Sequence, residues 1–246
     1  MFFFNSELSV LPTCESTHEC LKWWLKTEKV KWGTVLMTTH QTQGIGMQGT
    51  KWLTNKDENL TISFSLLTES KVEKHLSMIV SLAVRDMIAE IIGFENIVIK
   101  WPNDLLVFDG LKHKKICGIL IEKLIVKDES GFLIGIGLNV NQSVFEGIEA
   151  CSLFLVSKKK YNLLDTAFKL KKSLEMKLVD FFGSGMDVLK EVYTKNLLGY
   201  GEKRLFKKDG HVFEGVVIGV NEAAELCLEV ENKMVCFKTK EIQWLI

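Results

Sequence analysis

Between Ile97 and Val140 four runs rich in β-branched and large apolar residues, Ile97–Lys100, Leu105–Phe108, Ile116–Leu124 and Phe132–Val140, are separated only by turn-sized gaps. The gaps carry Asn103-Asp104, Asp109-Gly110 and Ser130-Gly131. Such dipeptides favour turns, because Asn and Asp bond back to their own backbone and Gly accepts positive φ. A parallel pair needs a crossover of a dozen or more residues, so connections this short point to a mainly antiparallel sheet. Thr34–Thr39 and Leu60–Leu67 read as two further strands. The loop joining them, rich in Gly, Gln, Thr and Asn, is too long for a hairpin turn, and long loops are often functional.

Helices should flank this sheet. Ser16-Thr17-His18-Glu19 has the form of a capping box, which predicts a helix through Trp24. From Val72 to Ile92 the residues Leu76, Ile79, Val80, Ala83, Val84, Met87, Ile88 and Ile91 recur at helical spacing. Leu163–Phe182 and Met186–Leu198 are again helical, parted by Gly183-Ser184-Gly185. After Gly199-Tyr200-Gly201 the texture changes to short alternating runs, Arg204–Phe206, Val212–Val220, Leu226–Glu229 and Met234–Phe237. The expectation is an α+β chain of two unequal domains, a large one over 1–199 and a small all-β one over 200–246.

The 31 basic side chains equal the 31 acidic ones, so no net field draws the molecule to nucleic acid or an anionic membrane, and any anionic ligand must be bound locally. No apolar run approaches a membrane span. The opening Met1-Phe2-Phe3-Phe4 has no basic region before it and no small-residue cleavage site after it, and reads as mature protein. Cysteines 14, 20, 117, 151, 227 and 236 form no C-x-x-C pair and adjoin no His cluster. That spacing argues against a zinc site and against a disulfide framework, with a reducing cytoplasm as the simplest home.

Gly44-Ile45-Gly46-Met47-Gln48-Gly49 fits G-x-G-x-x-G after a strand, with Glu69 about twenty residues on, as a dinucleotide fold would have it. The context does not fit: Lys51 to Asp57 leads through a polar turn into another strand, whereas a pyrophosphate site needs a helix N-terminus there. What remains is either a flexible surface loop or one whose backbone amides approach an anionic or bulky ligand. Lys100-Trp101-Pro102-Asn103-Asp104 closes a β-branched strand, and is read equally as a turn with Trp101 in the core or as a site with Lys100 beside Asp104. Most of Lys112-His113-Lys114-Lys115 should be a solvated turn. Lys115 directly precedes Ile116-Cys117-Gly118-Ile119-Leu120, so alternation would aim one such lysine at a sheet face, where Gly118 permits close approach or a bulge. Gly135-Ile136-Gly137-Leu138-Asn139-Val140-Asn141 reads as a buried strand and turn, or as the end of a nucleotide cleft.

Taken together and in order, these segments resemble the biotin protein ligase family over nearly the whole chain. Ser16-Thr17 looks like the family's biotin contact, and Gln41 with the 44–52 loop like its glycine-rich ligand loop. Lys-Trp-Pro-Asn-Asp, Lys-Ile-Cys-Gly-Ile-Leu-Ile-Glu and Gly-Ile-Gly-Leu-Asn-Val-Asn are equally characteristic. The resemblance implies a class II synthetase-like catalytic domain with a C-terminal barrel similar to an SH3 domain. It also implies ATP with Mg2+, biotin as substrate, and a biotin carboxyl carrier protein as partner. No nucleic-acid or membrane partner is expected, and the chain would act as a monomer or homodimer. Ser16, Thr17, Gln41, Gly44, Lys115 and Gly118 would contact biotin. Gly46, Gly49, Trp52, Asn103, Lys115 and Asn139 would hold ATP or the adenylate. Lys115 and Asp104 would be catalytic, with no confident protein ligand for the metal.

Family members usually carry arginines after the first and second glycines of the loop and just after the third, where this chain has Ile45, Met47 and Thr50. Losing three cations that would pair with carboxylate and phosphate should weaken retention of an anionic intermediate. The chain starts at the catalytic domain, so a DNA-binding role is not expected. The alternatives are a ligase for lipoate or octanoate, and a degenerate protein that holds biotin or its carrier without turnover.

Overall fold

The computed structural model describes residues 3–68 and 70–245; Met1, Phe2 and the Glu69 of the discarded dinucleotide reading lie outside the described residues. The large sheet contains β1 (Ser9–Leu11), β2 (Val35–Thr38), β5 (Asn59–Leu67), β6 (Ile97–Lys100), β7 (Asp104–Phe108), β8 (His113–Val126) and β9 (Glu129–Asn139). Its order is β1-β2-β5-β9-β8-β7-β6, and every neighbouring pair is antiparallel except β1 with β2. The glycine loop folds into a miniature hairpin of β3 (Gly44–Ile45) and β4 (Lys51–Trp52) around a 3-10 turn at Met47–Gly49.

Alternation decides which face of the sheet is core and which is left for a ligand. In β5, Leu60, Ile62, Phe64 and Leu66 enter the main core, as Ile134, Ile136 and Leu138 do in β9. The helices α2 (Leu76–Ile92) and α4 (Leu163–Ser184) pack on this side. The residues between them, Thr61 and Ser63 in β5 and Gly135 and Gly137 in β9, are small or hydroxylic and turn to the opposite face. That face carries α1 (Thr17–Lys26), whose Leu21 and Leu25 pack on Leu36, Leu124 and Leu133. Ser16 caps α1 by accepting from the Glu19 amide at 3.4 Å, and the Glu19 carboxylate faces Lys22 at 3.7 Å. The remaining helices are α3 (Leu153–Ser157) and α5 (Met186–Lys195).

Strands β10 (Lys203–Lys208), β11 (His211–Val220), β12 (Leu226–Val230), β13 (Lys233–Phe237) and β14 (Gln243–Leu245) form a second, antiparallel sheet in the order β13-β12-β11-β10-β14. It curls so that Phe213 of β11 meets Phe237 of β13, their ring centres 5.9 Å apart, but among the described residues its outer strands do not hydrogen-bond to close a barrel. Trp101 ties the two sheets together: its Nε1 donates to the Ala224 carbonyl at 3.0 Å, and its own carbonyl accepts from Trp244 Nε1 at 3.2 Å.

One expectation is corrected. Cys227 and Cys236 form a disulfide, their Cα atoms 4.1 Å apart. The β12–β13 hairpin turns at Glu231 and Asn232, both at positive φ, and this two-residue turn sets Cys227 directly opposite Cys236. Linear spacing without the turn register concealed the pair. No described helix is long and apolar enough to cross a membrane.

Candidate active site

On the α1 face of the large sheet lies a cleft of about 540 Å³. Its floor is glycine: Gly118 of β8 pairs with Gly137 of β9, and Gly135 lies two residues further along on the same face. Without side chains there, backbone is open to close approach. The indole of Trp52 lies on this floor, so close that a Cβ on Gly137 would stand 2.3 Å from the ring. Trp52 Nε1 is buried with no hydrogen-bond partner among the described residues.

One end of the cleft is a neutral polar network. The backbone amide of Thr17, at the first turn of α1, donates to Gln41 Oε1 at 2.8 Å; its hydroxyl reaches the same oxygen at 3.3 Å and Ser63 Oγ at 2.9 Å. Ser16, Thr17 and Gln41 are all buried, and a bridge between Cys14 and Gln41 fixes the segment that carries the glutamine.

The opposite end is charged. Lys115 Nζ lies 2.6 Å from Asp104 Oδ1, although Oδ1 is buried with no aligned hydrogen bond. Lys100, opposite Asp104 across the β6–β7 pair, is a further cation here, and burial pulls its pKa below the usual lysine value, with Asp104 opposing and Lys115 adding to the fall. Lys115 reaches the cleft because β8 bulges. Leu105 pairs with Cys117 but Leu106 with Lys115, leaving Ile116 as an extra residue. The bulge puts Lys115 and Gly118 on one face despite their odd separation, and Lys115 Nζ lies 3.3 Å from where a Gly118 Cβ would stand.

The structure brings most sequence-selected residues into this cleft: Ser16, Thr17, Gln41, Gly46, Trp52, Asn103, Asp104, Lys115 and Gly118 line it. Asn103 also clamps the turn to β8, its Nδ2 donating to the Ile119 carbonyl at 2.8 Å. Gly44 lies just behind the lining, where a Cβ would meet the Trp52 carbonyl at 2.4 Å. Gly49, at φ +76°, is at the exposed hairpin tip. Asn139 is buried outside the lining, with Nδ2 donating to the Cys151 carbonyl at 3.0 Å. Ile45, Met47 and Thr50, the positions of the absent arginines, line the cleft without charge.

Sequence reasoning missed Thr61 and Ser63, which the alternation of Leu60 to Ser65 could have shown, and His18, which the capping box concealed by accounting for the helix start. Gln243, which reaches the cleft from the second sheet, carried no local signal.

The fold and cleft define a class. A profile of the Biotin/lipoate A/B protein ligase family matches residues 10–139, and the chain belongs to that family. The Bacillus subtilis bifunctional ligase/repressor BirA is 27% identical over 208 residues, covering 81% of this chain and 62% of the relative. The chain thus spans about three fifths of the length of that relative. The Arabidopsis thaliana chloroplastic biotin–protein ligase 1 is 28% identical over 213 residues, 80% of this chain and 54% of the relative. The biotin protein ligase from Aquifex aeolicus, solved in complex with biotin and ATP, superposes with a TM-score of 0.79 at 26% identity, covering 98% of this chain and 100% of that one.

Proposed function

We propose that this chain is an ATP-dependent biotin protein ligase, which joins biotin to AMP and then transfers it to a lysine of a biotin carboxyl carrier protein. One observation carries the reading: a single glycine-floored cleft has the Thr17–Gln41–Ser63 network at one end and the Lys115–Asp104 pair at the other. A ligand with a neutral hydrogen-bonding head and a carboxylate tail matches this polarity, and the Aquifex aeolicus relative was solved with biotin and ATP.

In the first half-reaction a carboxylate oxygen of biotin attacks the α-phosphorus of ATP, and the bond to the bridging oxygen breaks as pyrophosphate leaves. In the second, the carrier's neutral lysine amine attacks the acyl carbon; AMP departs with the bonding electrons and the amine loses its proton. Both steps need anions neutralised and reactants aligned more than they need a covalent nucleophile. Lys115, over the floor beside Gly118, is the cation for carboxylate and α-phosphate, and Asp104 holds its ammonium in place. Trp52 offers a flat face for the adenine. Magnesium would arrive with ATP and neutralise its phosphates. Asp104, the one carboxylate among the described residues lining the cleft, would be the side chain to help hold that ion.

We take residues 1–199 as the catalytic domain and 200–246 as an appended module that contributes Gln243 to the cleft rim. With Cys227 and Cys236 paired, cysteine usage no longer argues for a reducing compartment, and cytoplasmic residence rests on the ligase reading alone.

The test is ATP–pyrophosphate exchange with biotin, lipoate and octanoate in turn, followed by streptavidin blotting of a carrier domain. Exchange with biotin alone and a labelled carrier are expected. Exchange with lipoate or octanoate instead makes the chain the other kind of ligase, and exchange with none makes it a binding protein.

A further inference from the structure

His18 follows the Ser16-Thr17 pair, lines the cleft and is only 4% exposed. Its ring is held from behind. Nε2 lies 3.2 Å from Glu122 Oε2, and the other oxygen of Glu122 lies 2.7 Å from Lys22 Nζ. A carboxylate kept ionised by a lysine is an acceptor only, so it selects the tautomer with the proton on Nε2. Nδ1 is then a bare acceptor. It is buried with no hydrogen-bond partner among the described residues, over Gly135 of the floor, 3.0 Å from where a Cβ would stand.

Counting donors and acceptors at this end of the cleft shows what is lacking. A cyclic urea presents one carbonyl acceptor and two N–H donors. Gln41 Nε2 can serve the carbonyl, whereas the Thr17 hydroxyl has its one proton on Gln41 Oε1 and the Ser63 hydroxyl lies against Thr17. The acceptor Gln41 Oε1 already takes two bonds from Thr17. Nδ1 of His18 is a buried acceptor with no partner among the described residues, free to take one of the N–H groups.

We propose that His18 is a specificity residue of this cleft, its Nδ1 accepting a hydrogen bond from one ureido N–H of the substrate's bicyclic urea. The proposal rests on the ligase reading and deepens it. Lys22 and Glu122 act through His18, fixing its tautomer. A dithiolane or a plain acyl chain has no N–H to offer, so the same nitrogen disfavours lipoate and octanoate by remaining unpaired.

Protonation opposes the role. Burial lowers the pKa of His18 below its usual 6.5, against the hydrogen bond and charge of Glu122; Glu19 also faces the ring and raises it, and Lys22 lowers it. The imidazole is therefore neutral at pH 7. Affinity for the urea is full above this lowered pKa and falls as pH drops through it, because the imidazolium has no lone pair on Nδ1.

The test is calorimetric binding of biotin, and of biotin methylated at one or the other ureido nitrogen, to wild type, His18→Phe and His18→Asn. Asn carries an oxygen close to the place of Nδ1; Phe keeps the ring without an acceptor. Expected are a loss of about tenfold or more in biotin affinity for the Phe variant, with near wild-type affinity for Asn. The wild-type preference for biotin over one methylated derivative should vanish in Phe. Wild-type affinity should stay level from about pH 8 to 6.5 and fall only on further acidification, with a flat profile for Phe across the same range. The proposal is overturned if folded His18→Phe binds biotin like wild type, or if folded His18→Asn loses as much as Phe. A wild-type protein that binds no biotin overturns the ligase reading itself, a result separate from any difference among variants.

Discussion

Replacing Gly137 by Ala tests how the cleft floor and the glycine hairpin work together. The new methyl would stand 2.3 Å from the Trp52 ring. Carbon atoms pack at about 3.5–4.0 Å, so one partner must retreat by at least about 1.2 Å. Gly137 cannot be that partner, because it is paired on both sides, with Thr61 of β5 and Gly118 of β8, in the middle of the large sheet. Trp52 can, because it sits on a two-residue strand whose only pairing among the described residues is with β3. The indole should therefore leave the floor while the fold persists at a cost of roughly 1–3 kcal/mol. If Trp52 stacks on adenine, the ATP KM should rise by roughly 5- to 150-fold, the equivalent of about 1–3 kcal/mol for a base on an aromatic ring. Biotin affinity should change much less. The assay is pyrophosphate exchange at varied ATP in wild type, Gly137→Ala, Trp52→Ala and the double variant. Because the two residues touch, their effects should be non-additive by at least about 1 kcal/mol. An unchanged ATP KM in Gly137→Ala, or additive single effects, would falsify this account of the floor.

Other predictions are shorter. Lys115→Ala should slow exchange by about 10²–10³-fold, as removal of one pre-placed charge stabiliser does. Its melting temperature should fall only modestly, because the Lys115 side chain is 36% exposed and Lys100 stays opposite Asp104 to offset the lost pair; undiminished exchange would remove the lysine from its role. Met47→Arg, which restores a cation at a cleft-lining position, should slow release of the adenylate about tenfold or more and reduce labelling of bystander lysines. Equal release rates would mean that the missing arginines do not control retention. Reducing the Cys227–Cys236 disulfide, which closes a loop of sequence separation 9, should lower the stability of the second sheet by roughly 2–4 kcal/mol. Cys236→Ala should then melt alike with and without reductant, where wild type does not.

Most of the elements were legible because each obeys a local rule. The Ile97–Lys100 run became a strand with those bounds, and the 3.6-residue periodicity after Val72 became α2, entered through a 3-10 turn at Ser70–His75. The β1 and β14 edge strands and the hairpin inside the glycine loop were not legible, since pieces of two or three residues carry too few positions for any periodicity.

By itself the sequence determined the antiparallel sheet, through turn dipeptides too closely spaced for crossovers, and the two characters of its faces, through the alternation of Ile with Gly and of Leu or Ile with Ser or Thr. It also supplied the cations and hydroxyls of the site. Only the tertiary structure decided how they meet. The bulge at Ile116 carries Lys115 onto the face of Gly118, a one-residue slip that strict alternation forbids. The turn at Glu231 and Asn232 sets two cysteines of sequence separation 9 opposite one another. Packing of α1 over β9 and β8 aims His18 Nδ1 at the floor, with its proton committed to Glu122. The first two depend on the register of a hairpin, which residue types alone do not specify, and the third on contact between segments far apart in the chain.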